Sequence, residues 1–394
     1  MQKKHKTWIL QLFLLVLTFF TTTLAGAEWI FGRTLLLPGL GEWFTWEHFQ
    51  RGLHFSIPFL GILTVHEFGH YIAARLYKVK VSLPYYLPFF LGFANSIGTF
   101  GAFIKIKSRL VSSKQIFDIG IAGPLAGFVA AMILLWYGFT NLPPMEYIFE
   151  IHPEYAQYGE DYEKYVYDRE HLTRDIDYEG EIPLISVGSN LIFEFFTRFV
   201  APDPSLVPNR FELMHYPYLF AGYLALLFTA LNLLPIGQLD GGHILYGLIG
   251  GRRHYLYAPW LFFAFVVFAG LGIFQNNPFG NAFEDTGSFV TFSVIYLPFL
   301  YLLFSRLHAP TQVKFMNAFI VFLLQLVVEL LIHDVNVSSG WFVFAFVVGR
   351  FLGVYHPPAL IEQPLSPKRK ILGWFALIVF ILCFTPRMFI IEMV

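Results

Sequence analysis

Residues 61–77 read GILTVHEFGHYIAARLY, an apolar stretch that carries His66, Glu67 and His70 at its centre. A spacing of four on a helix stacks both imidazoles on one face, about one turn apart, where both reach a single zinc ion at about 2.0–2.1 Å. Glu67, beside the first histidine, projects toward the same place as a candidate general base. Two imidazoles and a carboxylate within a membrane helix are costly unless they face protein or water and act there. The bland alternative is a histidine pair satisfied by neighbouring helices.

That this stretch lies in a membrane follows from composition. The chain has 394 residues, 13% of them charged and 56% hydrophobic, whereas soluble chains are about 25% charged. Apolar runs fall at roughly 8–25, 55–77, 116–138, 217–234, 256–274, 288–305, 315–333, 340–355 and 371–390. They predict an all-α polytopic membrane protein with about nine transmembrane helices. Basic residues gather at Lys3–Lys6, Lys78–Lys114, Arg252–Arg253, Arg306–Lys314 and Lys368–Lys370, all on one side of such a bundle. The positive-inside rule makes that side cytoplasmic, with the N-terminus inside, the C-terminus outside and the plasma membrane as the expected location. Lys3–Lys6, the apolar run after them and Ala25-Gly26-Ala27 also spell a cleavable secretory signal; the uncleaved helix is the expectation. Trp, Tyr and Phe suit interfacial belts and lipid-facing packing.

A net charge of −1 offers no basic field for nucleic acid. Cys383 is the one cysteine, so disulfides and cysteine-based zinc sites are excluded and a metal must use His, Asp or Glu. Residues 140–215 differ from the rest, with fifteen acidic residues against five basic ones and a series of tyrosines. This is the expected extracytoplasmic insertion, a small folded cap or a solvated loop, with partial order favoured because its aromatics offer something to bury. The expected division is 1–54, a first helix or signal-like segment with its link; 55–139, a core segment; 140–215, the acidic insertion; 216–250, a second core segment; and 251–394, additional helices.

A catalytic zinc needs a third protein ligand and an open position. Asp118, Asp240, Glu329 and His333 are the candidates at membrane depth. Asp240 stands out because LNLLPIGQLDGG, residues 231–242, holds Pro235, Gly237, Gly241 and Gly242, which break a helix. Non-helical backbone at this depth is tolerated only where protein or a polar cavity covers it. The alternative for Asp240 is a helix cap at the start of His243–Ile249. Glu329 and His333, four apart, form either a second polar site or, more simply, a pair reaching the outer headgroups.

HEFGH followed by LNLLPIGQLDGG resembles the site-2 protease family of intramembrane zinc metalloproteases. The resemblance implies one zinc held by His66, His70 and Asp240, with Glu67 as catalytic base and Asn232 in a polar catalytic role toward the substrate carbonyl. GIAGPLAG, residues 120–127, is similar to the family's Gly-Pro motif, which permits close helix packing; many members carry Asn where this chain has Gly127. Leu83–Lys107 looks like the family's membrane-associated β-hairpin. Its GTFGAFIKIK segment alternates like a strand, and Gly98, Thr99, Phe100 and Gly101 are expected to bind substrate through a free edge. The alternative is an amphipathic hairpin on the membrane surface. The resemblance covers about residues 55–250 and fits best the members without a PDZ domain. It implies transmembrane-protein substrates and regulated intramembrane proteolysis. A metal-ion transporter and a catalytically idle membrane-binding homologue are the competing readings.

Overall fold

The computed structural model describes residues 2–36, 44–167, 183–276, 282–332, 335 and 337–393, and nearly every apolar run within them is a helix. Helix α1 spans Gln2–Phe31 and α2 spans Trp46–Leu76, so HEFGH lies in the second half of a 31-residue helix. Thr45 starts α2 with a reciprocal cap: its hydroxyl accepts the His48 amide and the His48 ring accepts the Thr45 amide. Strands β1 (Tyr85–Pro88) and β2 (Thr99–Phe103) form an antiparallel hairpin, Tyr85 opposite Phe103 and Tyr86 opposite Ala102. Ser112 then caps α3 (Ser113–Thr140) in the same reciprocal way with Gln115.

The acidic insertion is partly built from regular elements. These are α4 (Tyr147–Ile151), a 3-10 segment Pro153–Asp161, α5 (Tyr162–Val166), β3 (Pro183–Val187) and α6 (Leu191–Phe199). Its tyrosines supply the order: Tyr155 stacks on Tyr162 at 5.5 Å and Tyr158 on Tyr165 at 4.9 Å. The chain continues through α7 (Pro217–Leu233), α8 (Asp240–Ile249), α9 (Gly251–Ala269), α10 (Thr286–Phe304) and α11 (Thr311–Leu331). It closes with α12 (Ser339–Val347), extended by a π turn at Val348–Leu352, then α13 (Pro367–Cys383) and β4 (Phe389–Met393). Among the described residues, four helical stretches are long and apolar enough to cross a membrane: Thr7–Phe31, Ser113–Thr140, Thr286–Phe304 and Thr311–Leu331. Pro217–Leu233 and Ser339–Leu352 are shorter apolar helices. The fold is a mostly helical membrane protein with small two-stranded sheets.

Helix α2 packs against α1 and α3, and α3 packs in turn on α7 and α8. Phe55, Phe59 and Phe220 stack in this junction, with Trp29 from α1 against Phe220. At one end of the bundle the links before α3 and before α13 are tied together. Ser113 and Gln363 exchange hydrogen bonds, and Arg369 clamps Asp118 with two contacts of 2.8 Å. At the other end, β3 of the insertion pairs antiparallel with β4, from Pro183 opposite Met393 to Val187 opposite Phe389. The insertion and the chain's last strand therefore share one face, a pairing the sequence reading missed.

Candidate metal centre

Within α2 the His66 and His70 Nε2 atoms stand 3.1 Å apart. Asp240 Oδ2 lies 3.5 Å from the first and 3.2 Å from the second. Two donors on a tetrahedral zinc with bonds near 2.0–2.1 Å stand about 3.3 Å apart. The three donor atoms thus form a triangle of the size one zinc requires, and the donor set suits that ion.

Each candidate ligand is held by a specific local device. Asp240 arrives because α7 stops at Leu233 and α8 restarts at Asp240, putting the carboxylate in the first turn of α8, where the helix dipole favours it. The intervening turn needs glycine: a Cβ on Gly241 would lie 1.9 Å from the Leu233 carbonyl oxygen. The His70 Nδ1–H donates to the Ile119 carbonyl at 2.7 Å, which fixes the tautomer and turns the Nε2 lone pair toward Asp240. Gly123 makes room for that ring, since a Cβ there would lie 2.1 Å from His70 Nε2. A Cβ at Gly127 would be 3.2 Å from His66 Nδ1. A side chain at position 127 would therefore press on the His66 ring, and this chain has none there.

His66, Glu67 and His70 are buried and line a cavity of about 1550 Å³, larger than the roughly 300–1,000 Å³ typical of small-molecule sites. Ile104, just past β2, lines the same cavity as Glu67. Asn232, next to last in α7, lines the cavity, as do Thr99, Phe100 and Gly101. Gly98 faces elsewhere: a Cβ on it would lie 2.3 Å from Thr22 Cα, and its carbonyl accepts the Thr21 hydroxyl at 2.7 Å. Gly98 therefore seats the hairpin on α1 and leaves the cavity wall to its three neighbours.

The other acidic candidates are spoken for. Asp118 takes the Arg369 guanidinium and the Tyr77 hydroxyl. Glu329 is buried and accepts the amides of Phe274 and Gln275 at 3.1 and 3.2 Å. His333 lies outside the described residues. His243 pairs its Nδ1 with His356 Nε2 at 2.7 Å. The Ile119 carbonyl, which orients His70, was not singled out from the sequence, because a backbone acceptor leaves no residue-type signal; Gly123 falls within the GIAGPLAG stretch read as a close-packing motif.

The family model described as Peptidase family M50 matches residues 54–271, a span holding all three ligand candidates, Glu67 and Asn232. Among curated proteins the chain is 31% identical over 207 residues to "Probable zinc metalloprotease EGY1, chloroplastic" of Oryza sativa subsp. japonica, covering 51% of this chain and 29% of that one. The protein of the same description from Arabidopsis thaliana is 29% identical over 192 residues, 48% of this chain and 28% of its own. "Probable zinc metalloprotease EGY2, chloroplastic" of Oryza sativa subsp. indica is 26% identical over 206 residues, 52% and 31%. The chain thus spans under a third of the length of these relatives. No solved structure gives a significant match. With the family pattern covering more than half of it, the chain belongs to peptidase family M50, the site-2 protease family.

Proposed function

We propose that the chain is an intramembrane zinc metalloprotease that hydrolyses a peptide bond within or near a transmembrane helix of a membrane-protein substrate, as in regulated intramembrane proteolysis. The observation that carries this is the convergence of His66, His70 and Asp240 at 3.1–3.5 Å, with Glu67 beside them, on one large cavity. When bound, zinc supplies Lewis acidity that acidifies water and polarises a peptide carbonyl.

Glu67 accepts a proton from the attacking water and returns it to the departing amine. Asn232 donates to the substrate carbonyl from the last turn of α7. Thr99, Phe100 and Gly101 border the space where an unwound segment lies extended along β2. Unwinding is required because a helical peptide carbonyl is engaged in a backbone hydrogen bond.

The proposed topology has nine crossings, with α7 and α8 forming one interrupted crossing. Its basic links and the N-terminus face the cytoplasm, its insertion lies on the far side, and the membrane is the plasma membrane. The β3–β4 sheet supports the shared face of insertion and last strand. The expected division at 54, 139, 215 and 250 is kept, with residues 251–394 as a helical addition to the core. The test uses purified protein and a tagged single-span substrate. Glu67→Gln is expected to keep its zinc and lose cleavage; zinc-loaded Glu67→Gln that cleaves like the parent overturns the reading.

A further inference from the structure

A second group of two imidazoles and one carboxylate stands at the opposite end of α2. His152, the C-cap of α4, meets Glu212 and His215, the N-cap and the last residue of the 3-10 turn Leu213–His215 that leads into α7, with their ligand atoms all within 4.8 Å of one another. Arg51 of α2 binds Glu150 at this end, roughly 22 Å along the helix from His66. His152 Nε2 is 3.4 Å from His215 Nε2, which is 3.4 Å from Glu212 Oε2. Both rings have the other nitrogen engaged: His215 Nδ1–H donates to the Ile30 carbonyl at 2.7 Å, and His152 Nδ1–H to Glu154 Oε1 at 3.1 Å. These acceptors turn both Nε2 lone pairs inward, the arrangement seen around histidines that bind metal.

Glu212 is the independent sign that something belongs between them. It is 1% exposed; its Oε1 accepts the Tyr167 hydroxyl, while Oε2 is buried with no hydrogen-bond partner among the described residues. An imidazolium beside a carboxylate closes to about 2.7–2.9 Å. The 3.4 Å separations are instead close to the roughly 3.3 Å between donors on one zinc, the spacing of the first centre. Burying a carboxylate oxygen without a hydrogen-bond partner is costly, and a cation there would relieve that cost.

We propose that His152, Glu212 and His215 form a second binding site for a divalent cation of the zinc class. Its nitrogen and carboxylate donors favour zinc over calcium or magnesium. None of the three lines the large cavity, so the ion is a staple: it ties α4 to the entry of α7 and, through the Ile30 carbonyl, to the end of α1.

Full-length protein in detergent is stripped with a chelator, reloaded with zinc and assayed for bound metal by mass spectrometry. The parent is expected to hold about two zinc ions per chain, and His66→Ala/His70→Ala and His152→Gln about one each. His152 is only half-buried at a helix end, so its replacement spares the core. As a second measurement, zinc is expected to raise the thermal unfolding midpoint of the His66→Ala/His70→Ala protein, and His152→Gln in that background to abolish the rise. A parent holding one zinc that His66→Ala/His70→Ala removes, or His152→Gln holding as much as the parent, overturns the staple. Neither result touches the proposed protease site.

Discussion

His66 and His70 share one long helix and need only Asp240 from elsewhere, whereas His152, Glu212 and His215 come from a helix end and a 3-10 turn in the insertion and its exit. Both groups have two imidazoles and a carboxylate: the first has three donor separations of 3.1–3.5 Å, the second two of 3.4 Å with all its donors within 4.8 Å of one another. In the first, the pitch of α2 fixes two of the three donors before any tertiary contact forms. In the second, every donor depends on the insertion folding against α1 and α7. A centre carried on a rigid element keeps its geometry when its surroundings shift, as chemistry demands. One assembled from loops reports whether those loops are in place, which suits a clamp.

Substitutions can break or sharpen this contrast. The largest effect is expected from Glu67→Gln, which should lower cleavage by about 100- to 10,000-fold, the usual share of a general base, with zinc content unchanged. Asp240→Ala should weaken zinc binding by more than the roughly 10- to 100-fold typical of losing an outer-shell partner; metal titration checks this. Gly123→Ala drives a methyl group into the His70 ring and should cost about 10- to 100-fold in zinc affinity, with His66→Ala as the comparison. Arg369→Ala leaves Asp118 without its cation; because the pair is partly exposed, about 1–2 kcal/mol of stability should be lost, read by denaturant unfolding. The smallest change in cleavage, under about 10-fold, is expected from His152→Gln, since it leaves α2 intact. A loss as large as that of Glu67→Gln would erase the distinction between the two centres.

The parts legible in sequence were those with short-range order. Helix α2 and its i, i+4 histidines follow from periodicity, and Asp240 from the glycines and proline that end α7. The second histidine group was hidden because His152 and His215 are joined by no helical or strand period, only by the fold of the insertion. The β3–β4 pairing was hidden for the same reason, its partners being some 200 residues apart. At Gly98 the structure adds what alternation does not show: the missing side chain lets the hairpin press onto α1. At Glu329 a carboxylate near a helix end suggests water, while here two backbone amides replace it.

The β3–β4 ladder also sets an order of events. Because a ribosome delivers residues from first to last, β3 emerges long before Phe389–Met393 exists to cover it. Through the insertion of α7 to α13 it waits as a bare edge, the kind of surface that recruits stray strands. Closing so long a loop is entropically slow, which makes the seal on the insertion a late act of assembly, and any chain cut before Phe389 would lack the strand that forms it.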